Sequence, residues 1–173
     1  GYSSAASDVY KRQACRSEWI HCTVANLYNW DVISAPALTL LEYSPADSVA
    51  PEMQPRFLIA NSIVTTRGLF MAPSEIEGLN ISFDNCLFQV NGEDDENFLS
   101  CIWEKDPAFV ATGDNYIFDF RITESSPARE AGSTAYLNDT TAVDLYGIPR
   151  PTDGTRPDIG ASNYTQPSQD DAL

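Results

Sequence analysis

The stretch Leu79-Asn-Ile-Ser-Phe-Asp-Asn-Cys-Leu-Phe88 decides the fold of this chain. Apolar Ile81 and Phe83 each stand between polar residues, and this period of two is typical of a β-strand with one buried face. Asn85 interrupts the alternation, which resumes at Cys86. The stretch therefore predicts a strand, a polar corner and a second short strand.

The same pattern occurs at three other places along the chain. Residues 57–64 copy it, and residues 19–24 and 98–103 copy its later half. A strand, a corner and a second strand that recur along a chain indicate a solenoid, in which each repeat stacks on its neighbours. The residues expected inside the stack are Ile59, Val64, Phe83 and Phe88.

The small residue that follows each corner indicates the length of the coils. Cys22 and Ser62 are 40 residues apart, which allows two coils of about 20 residues, with a strand-like run at 37–43 between them. Ser62 and Cys86 are 24 residues apart, which allows one coil. Cys86 and Cys101 are only 15 residues apart, which fits either a tightened coil or the beginning of a cap.

The residues at the corners, and those directly after them, should stack into ladders. Polar corner side chains can hydrogen-bond to the turn backbone and to their neighbours above and below. The positions after the corners hold small side chains that should face inward. The ladder residues are His21, Asn61 and Asn85 at the corners, and Cys22, Ser62 and Cys86 after them.

The cysteines of this ladder have three interpretations. Reduced, buried thiols that act as small hydrophobic groups fit the inward positions best. A disulfide between neighbouring coils is an alternative, although the Cβ vectors of parallel strands do not converge. Metal binding is the third, although the sequence contains no Cys-x-x-Cys pair. Cysteine usage therefore does not indicate a redox compartment.

Two other features invite a catalytic or metal-binding interpretation. His21, the single histidine, is a natural general base for a Ser-His or Cys-His enzyme, but its alignment with Asn61 and Asn85 favours a structural role. The acidic run 92–96 has consecutive carboxylates, whereas calcium loops place them at alternate positions. A solvated turn is favoured there, and we predict no catalytic residue, cofactor or metal site.

Composition and the N-terminal sequence limit the classes of partner. The net charge of −15 argues against a basic face for nucleic acid or an anionic membrane. No apolar run approaches the ~18 residues that a membrane span needs. Residues 1–13 look like translated sequencing-adapter read-through, so we expect a disordered, non-native scar and a missing natural N-terminus.

Four motifs near the C-terminus resemble the closing segment of a known superfamily. They are Asp106-Pro-Ala-Phe109, Ser125-Ser-Pro-Ala-Arg-Glu-Ala-Gly132, Asp144-x-x-Gly147-x-x-Arg150 and Arg156-Pro-Asp-Ile-Gly-Ala161. Together they are similar to the closing segment of bacterial right-handed parallel β-helix proteins of the pectin-lyase-like superfamily, in particular surface proteins with a choice-of-anchor domain. Arg129-Glu130 and residues 162–164 depart from that pattern.

The resemblance implies an all-β fold, a fragment of a right-handed parallel β-helix (solenoid) with a C-terminal cap. The coils would occupy residues 14–110, the cap residues 111–165, and a flexible tail residues 166–173. The residues that would cover the open, aggregation-prone end of the solenoid are Phe118, Phe120 and Ile122. The cap residues are Gly132, Gly147 and Gly160 for tight turns, and Arg150 for a forked ion pair with Asp144 or Asp158.

The resemblance leaves two hypotheses for function. The first is a monomeric, non-catalytic fragment of a secreted or cell-surface bacterial protein, acting as a scaffold or a glycan-facing, adhesive surface. Tyr28, Trp30 and Tyr43 would then either stack on sugar rings or pack against the flank. The alternative is the remnant of a polysaccharide lyase or glycoside hydrolase whose catalytic coils lie upstream, since a fold does not by itself imply an activity.

The residue types favour the non-catalytic hypothesis. A lyase needs a base beside groups that neutralise the uronate, and a hydrolase needs carboxylates that converge on one bond. Asp84 is the only carboxylate at the outward positions of the repeat, and Lys105 adjoins the cap. We therefore lean against enzymatic activity for this chain, and carbohydrate is the one partner class that the sequence suggests.

Overall fold

The computed structural model describes residues 16–27, 56–66, 80–113 and 116–166. Strands dominate these residues, and no α-helix occurs among them. The strands are β1 (Arg16–Ile20), β2 (Thr23–Asn26), β3 (Arg56–Ala60), β4 (Ile63–Thr66), β5 (Ile81–Asp84), β6 (Leu87–Phe88), β7 (Phe98–Leu99), β8 (Phe109–Thr112) and β9 (Phe118–Ile122). A short 3-10 helix spans Thr134–Tyr136.

The strands before Asp106 form two parallel sheets. The first sheet has the order β1-β3-β5-β7 and the second the order β2-β4-β6. Each strand–corner–strand unit gives one strand to each sheet, and the last unit adds a single bridge, Leu87 to Ile102, to the second. Ile59 pairs with Phe83, and Phe83 pairs with Phe98, so equivalent positions lie in register. The prediction of an all-β fold is confirmed, with parallel pairing between successive units.

The corners are built by residues in the left-handed backbone region. His21, Asn61, Asn85 and Ser100 have φ values between 46° and 54°. Non-glycine residues seldom adopt this conformation, and Asn and His are enriched among those that do. The polar residue that interrupts each period-2 pattern therefore turns the chain from the first sheet to the second.

The main core lies between the two sheets. Ile59, Val64, Phe83 and Phe88 are all buried, as the period-2 pattern predicts. The ring of Phe83 stacks on that of Phe98 with a centroid distance of 4.6 Å and an interplanar angle of 4°. Large aromatic side chains at equivalent positions thus fill the interior and join successive units.

The spacing of the units differs from the sequence prediction in one place. β1 pairs directly with β3, and β2 pairs directly with β4. The 40 residues between Cys22 and Ser62 therefore correspond to one step of the stack and not to two coils. The strand-like run 37–43 lies outside the described residues.

The last unit, residues 98–103, extends both sheets. β7 pairs with β5, and Phe88 N donates a hydrogen bond of 2.8 Å to Ile102 O. The exposed acidic run before it is a turn, in which Asp94 Oδ1 accepts hydrogen bonds from Cys101 N and Trp103 Nε1. The short interval before Cys101 thus holds a compact loop and a complete corner.

Residues 123–166, here called the closing segment, follow the antiparallel hairpin of β8 and β9. A second apolar cluster joins the closing segment and β9 to the second sheet; its buried members are Ile63, Leu87, Ile122, Ala128 and Ile159. Ile63 and Leu87 alternate with the inward-facing Val64 and Phe88, so they lie on the outer face of that sheet. The closing segment therefore packs against the outer flank of the repeat units.

The sequence prediction that three hydrophobic residues of β9 cover the open end of the stack is wrong. Ile122 is buried in the cluster on the outer flank, Phe120 is half-buried, and Phe118 is 42% exposed. No partner was predicted for Ile63 and Leu87, which form an apolar surface on the outside of the second sheet. Ile122 of β9 packs against that surface and therefore does not cover the end of the stack.

Candidate functional site

The corner residue Asn61 connects the first described unit to the closing segment. Its side chain is completely buried. Asn61 Nδ2 contacts His21 Nε2 at 3.1 Å and also donates to Ser133 O at 2.8 Å. Asn61 Oδ1 accepts a hydrogen bond of 2.7 Å from Ser133 N, and its backbone oxygen accepts one from Gly160 N. One corner side chain thus holds both the preceding corner and the closing segment.

The corner ladder is not continuous. Asn85 Nδ2 donates to Asp84 Oδ1, and Asn85 Oδ1 accepts from Arg156 Nη2 at 3.3 Å. Among the described residues, the side chain of Asn85 is therefore bound to its own strand and to the closing segment rather than to Asn61. The closing segment, and not the neighbouring corner, provides the hydrogen-bond donor for Asn85 Oδ1.

His21 lies in an environment that disfavours its charged form. Its side chain is 7% exposed, and Nδ1 has no hydrogen-bond partner. Burial, with a further contribution from the positive charge of Arg150, lowers the pKa of His21 to about 4. The carbonyl groups of Asp158 and Gly160 oppose this shift without forming a hydrogen bond to Nδ1. At neutral pH His21 is an uncharged structural group.

The small side chains after the corners bind the strand ends of the first sheet. Ser62 Oγ donates to Ala60 O at 2.7 Å and accepts from Cys22 N at 3.0 Å. Cys86 Sγ donates to Ile59 O at 3.4 Å. Cys22, Cys86 and Cys101 are free thiols, and burial raises the pKa of Cys86. Burial therefore favours small, uncharged side chains at the positions after the corners.

Thiol labelling should separate the buried Cys86 from the unfolded chain. Because Cys86 is completely buried, its labelling in the folded protein should be at least about 100-fold slower than in denaturant. Labelling followed by peptide mass mapping would measure this rate for each cysteine. The half-buried Cys101 serves as an internal control and should label faster in the folded state. Equal rates for Cys86 in both states would contradict its position in the core.

Arg150 does not form the forked ion pair that the sequence predicts. It is 3% exposed and donates to Asn163 Oδ1 at 2.8 Å, Gly160 O at 3.0 Å and Asp158 O at 3.4 Å. The guanidinium therefore binds an amide and two backbone carbonyls, and burial lowers its pKa. The prediction failed because sequence alone does not distinguish a carboxylate from a backbone oxygen as the acceptor.

The two predicted carboxylate partners of Arg150 organise the backbone instead. Asp144 Oδ1 accepts hydrogen bonds of 2.8 Å from Tyr146 N and from Ile148 N. Asp158 accepts from Glu130 N at 2.7 Å and from Tyr164 N at 2.6 Å. Both carboxylates therefore fix turns within the closing segment.

The predicted glycines serve two different purposes. Gly147 and Gly160 have positive φ values of 79° and 105°, which suit the tight turns that the sequence predicts. Gly132 does not have a positive φ, but a Cβ there would lie 2.9 Å from Pro157 O and 3.1 Å from the side chain of Asn61. Gly132 thus allows close approach of the closing segment to the corner.

Asp84 is also engaged. The prediction that it is the only outward carboxylate of the repeat is wrong, because Glu18 lies on the same face of the first sheet. Asp84 accepts a hydrogen bond from Tyr136 Oη in the closing segment and another from Asn85. Burial and this bond to Asp84 raise the pKa of Tyr136. Lys105 is exposed. The structure does not bring these candidate catalytic groups together on an accessible face.

Sequence reasoning missed an open groove of about 500 Å³ beside β9. It is lined by residues of β9 and by Leu145 and Tyr146, and both of these are largely exposed. Arg121 Nη2 pairs with Asp119 Oδ2 at 2.6 Å on its wall. The aromatic alternation of β9 was the only signal for this surface. Tyr28, Trp30 and Tyr43, the predicted stacking residues, lie outside the described residues.

The described residues offer no metal centre, and known proteins assign no family to the chain. In the described part of the chain, no group of three or more His, Cys, Asp or Glu side chains could hold a metal ion. No helix there is long and apolar enough to cross a membrane. No family model, curated protein or solved structure matches the chain.

Proposed function

We propose that this chain is the C-terminal part of a right-handed parallel β-helix and serves as a non-catalytic scaffold of a secreted or cell-surface bacterial protein. The observation that carries the proposal is the use of the candidate catalytic side chains as structural links. Asp84 binds Tyr136 of the closing segment. His21 is buried against Asn61, which binds Ser133 of the same segment.

The two parallel sheets support the architectural part of the proposal. Consecutive units place equivalent residues side by side in both sheets, and each corner has the same left-handed backbone conformation. The second sheet also has an apolar outer face, which must be buried against another element. The closing segment covers the outer face of the second sheet with Ile159 and Ala128.

The state of the acid–base groups supports the non-catalytic part. A general base needs a pKa near the working pH and a position within reach of a substrate proton. The pKa of His21 is about 4, and its ring is buried and contacts Asn61. Asp84 is bound by Tyr136 and Asn85. Glycoside hydrolysis needs two carboxylates that flank one bond, and the hydrogen bonds to Asp84 use it as a link within the fold instead.

The surface that would face a glycan is best sought beside β9. Exposed aromatic rings offer flat apolar faces, and the Asp119–Arg121 pair supplies acceptors and donors next to them. The net charge of −15 opposes binding of acidic polysaccharides, so neutral glycans are the class that we expect. Adhesion to neutral glycans is therefore the second role that we assign to the scaffold.

The alternative is a remnant of a polysaccharide lyase or glycoside hydrolase. In a glycan panel with and without calcium, we expect no unsaturated products and no new reducing ends. Turnover that is lost in Asp84→Asn or Lys105→Gln, and kept in the exposed control Asp139→Asn, would overturn the non-catalytic proposal. Binding without turnover in the same panel would support it.

A further inference from the structure

The first corner and the closing segment meet at two buried basic side chains. His21 is 7% exposed and Arg150 is 3% exposed. Arg150 donates to the carbonyl oxygens of Asp158 and Gly160, and the same two carbonyl groups face the imidazole of His21. Both His21 Nδ1 and Arg150 Nε lack a hydrogen-bond partner. The contact therefore has little capacity to accommodate another positive charge.

Ser133 fixes the tautomer of His21 through Asn61. Ser133 O accepts from Asn61 Nδ2, and Ser133 N donates to Asn61 Oδ1. The amide of Asn61 cannot be flipped without losing both bonds, so its NH2 group must face His21 Nε2. Nε2 is consequently the acceptor, and the proton of the neutral ring is on Nδ1.

We propose that the neutral imidazole of His21 is an acid-sensitive latch whose protonation releases the closing segment from the flank of the repeat units. An added proton on Nε2 would point at the NH2 group of Asn61, which converts an acceptor–donor pair into two opposed donors. It would also place a second buried cation beside Arg150. Release of the closing segment relieves both conflicts and exposes Ile63 and Leu87 on the outer sheet face.

Other charged groups near the latch do not neutralise the added charge. Asp144 and Asp158 are the carboxylates whose negative charge raises the pKa of Arg150. Both accept hydrogen bonds from backbone N–H groups. Their negative charge favours retention of Arg150 as a cation. A positive imidazolium would thus be added to a site whose carboxylates already have partners.

The direction of the pH dependence follows from the proton affinity of His21, which is higher in the released state than in the docked state. An exposed histidine binds a proton with a pKa of about 6.5, whereas the docked His21 does so only near 4. Docking is therefore fully favourable above about pH 6.5 and is weakened as the pH falls towards 4. The shift corresponds to a change of roughly 300-fold in the docking equilibrium.

Amide spectra of the full chain, recorded between pH 7 and pH 4, test the latch. The Gly160 and Ala161 amides, which bind Asn61 O and Thr23 Oγ1, report on docking. The Phe83 amide reports on the core. We expect the first two signals to move to released positions as the pH falls, while that of Phe83 keeps its folded position.

The matched variant is His21→Asn, because asparagine is the residue at two other corners with the same backbone conformation. Its corner does not titrate, so the closing segment should remain docked at a pH at which the wild-type segment is released. Release of the variant at the same pH as wild type would overturn the proposal, because a group other than His21 would then trigger the release. Retention of docking in wild type at pH 4, or simultaneous loss of the Phe83 signal, would overturn it as well.

Discussion

Replacement of Phe83 by alanine should lower the free energy of unfolding by about 3–5 kcal/mol. Phe83 is completely buried, stacks on Phe98 at 4.6 Å and meets the ring of Phe88 edge-on at 5.7 Å. The substitution would remove a large apolar side chain and leave a cavity between the two sheets. Urea unfolding followed by circular dichroism would measure the loss.

Phe118→Ala is the matched control for this experiment. Phe118 lies in β9 and is 42% exposed, so its truncation should cost roughly 1 kcal/mol or less. A cost below about 1 kcal/mol for Phe83→Ala would place Phe83 outside the core and contradict the packing of the two sheets.

Gly160→Ala should destabilise the docked closing segment by roughly 2–5 kcal/mol. Gly160 has a φ of 105°, which strains any residue with a Cβ. The new Cβ would also lie 2.8 Å from Ile63 Cδ1 and 3.1 Å from Thr23 Oγ1, both in the second sheet. We expect a lower unfolding midpoint together with faster amide exchange in the closing segment.

Gly154→Ala separates backbone strain from the close approach to the sheet. Gly154 has a φ of 90°, but a methyl group added there would meet no atom within 4 Å. Only the backbone strain of roughly 1–3 kcal/mol therefore applies to this variant. If the two alanine variants lost the same stability, contact of Gly160 with Ile63 would not contribute to docking.

The repeat units could be predicted from the sequence because each rests on local information. A strand with one buried face imposes a period of two, and Ile59, Phe83 and Phe88 follow that period. A corner that needs a left-handed backbone selects residues such as Asn61. Both signals are contained within ten residues, so they can be read without knowledge of the tertiary contacts.

The position of the closing segment could not be predicted in the same way. Its buried residues Ala128 and Ile159 are far apart in the sequence and follow no period. Their partners Ile63 and Leu87 lie on the face of the strand that the repeat leaves outside. A pattern that identifies the inner face carries no information about what covers the outer one.

The partners of the polar residues depend on tertiary placement and were therefore only partly foreseen. Arg150 was predicted to bind a carboxylate, yet it binds the carbonyl groups of Asp158 and Gly160. Asn61 was predicted to bind its neighbouring corner, and it also binds Ser133, which is 72 residues away in the sequence. Residue type indicated that these side chains would be bonded but did not indicate to which atoms.

Cross-strand nuclear Overhauser contacts in the labelled chain test the central claim, which is the parallel, in-register stacking of the units. The account predicts α-proton to amide contacts that join Ile59 with Phe83 and Phe83 with Phe98, in the pattern of parallel strands. Close contacts between α-protons across these strands, which are typical of antiparallel pairing, would contradict it. So would the absence of cross-strand contacts between the units.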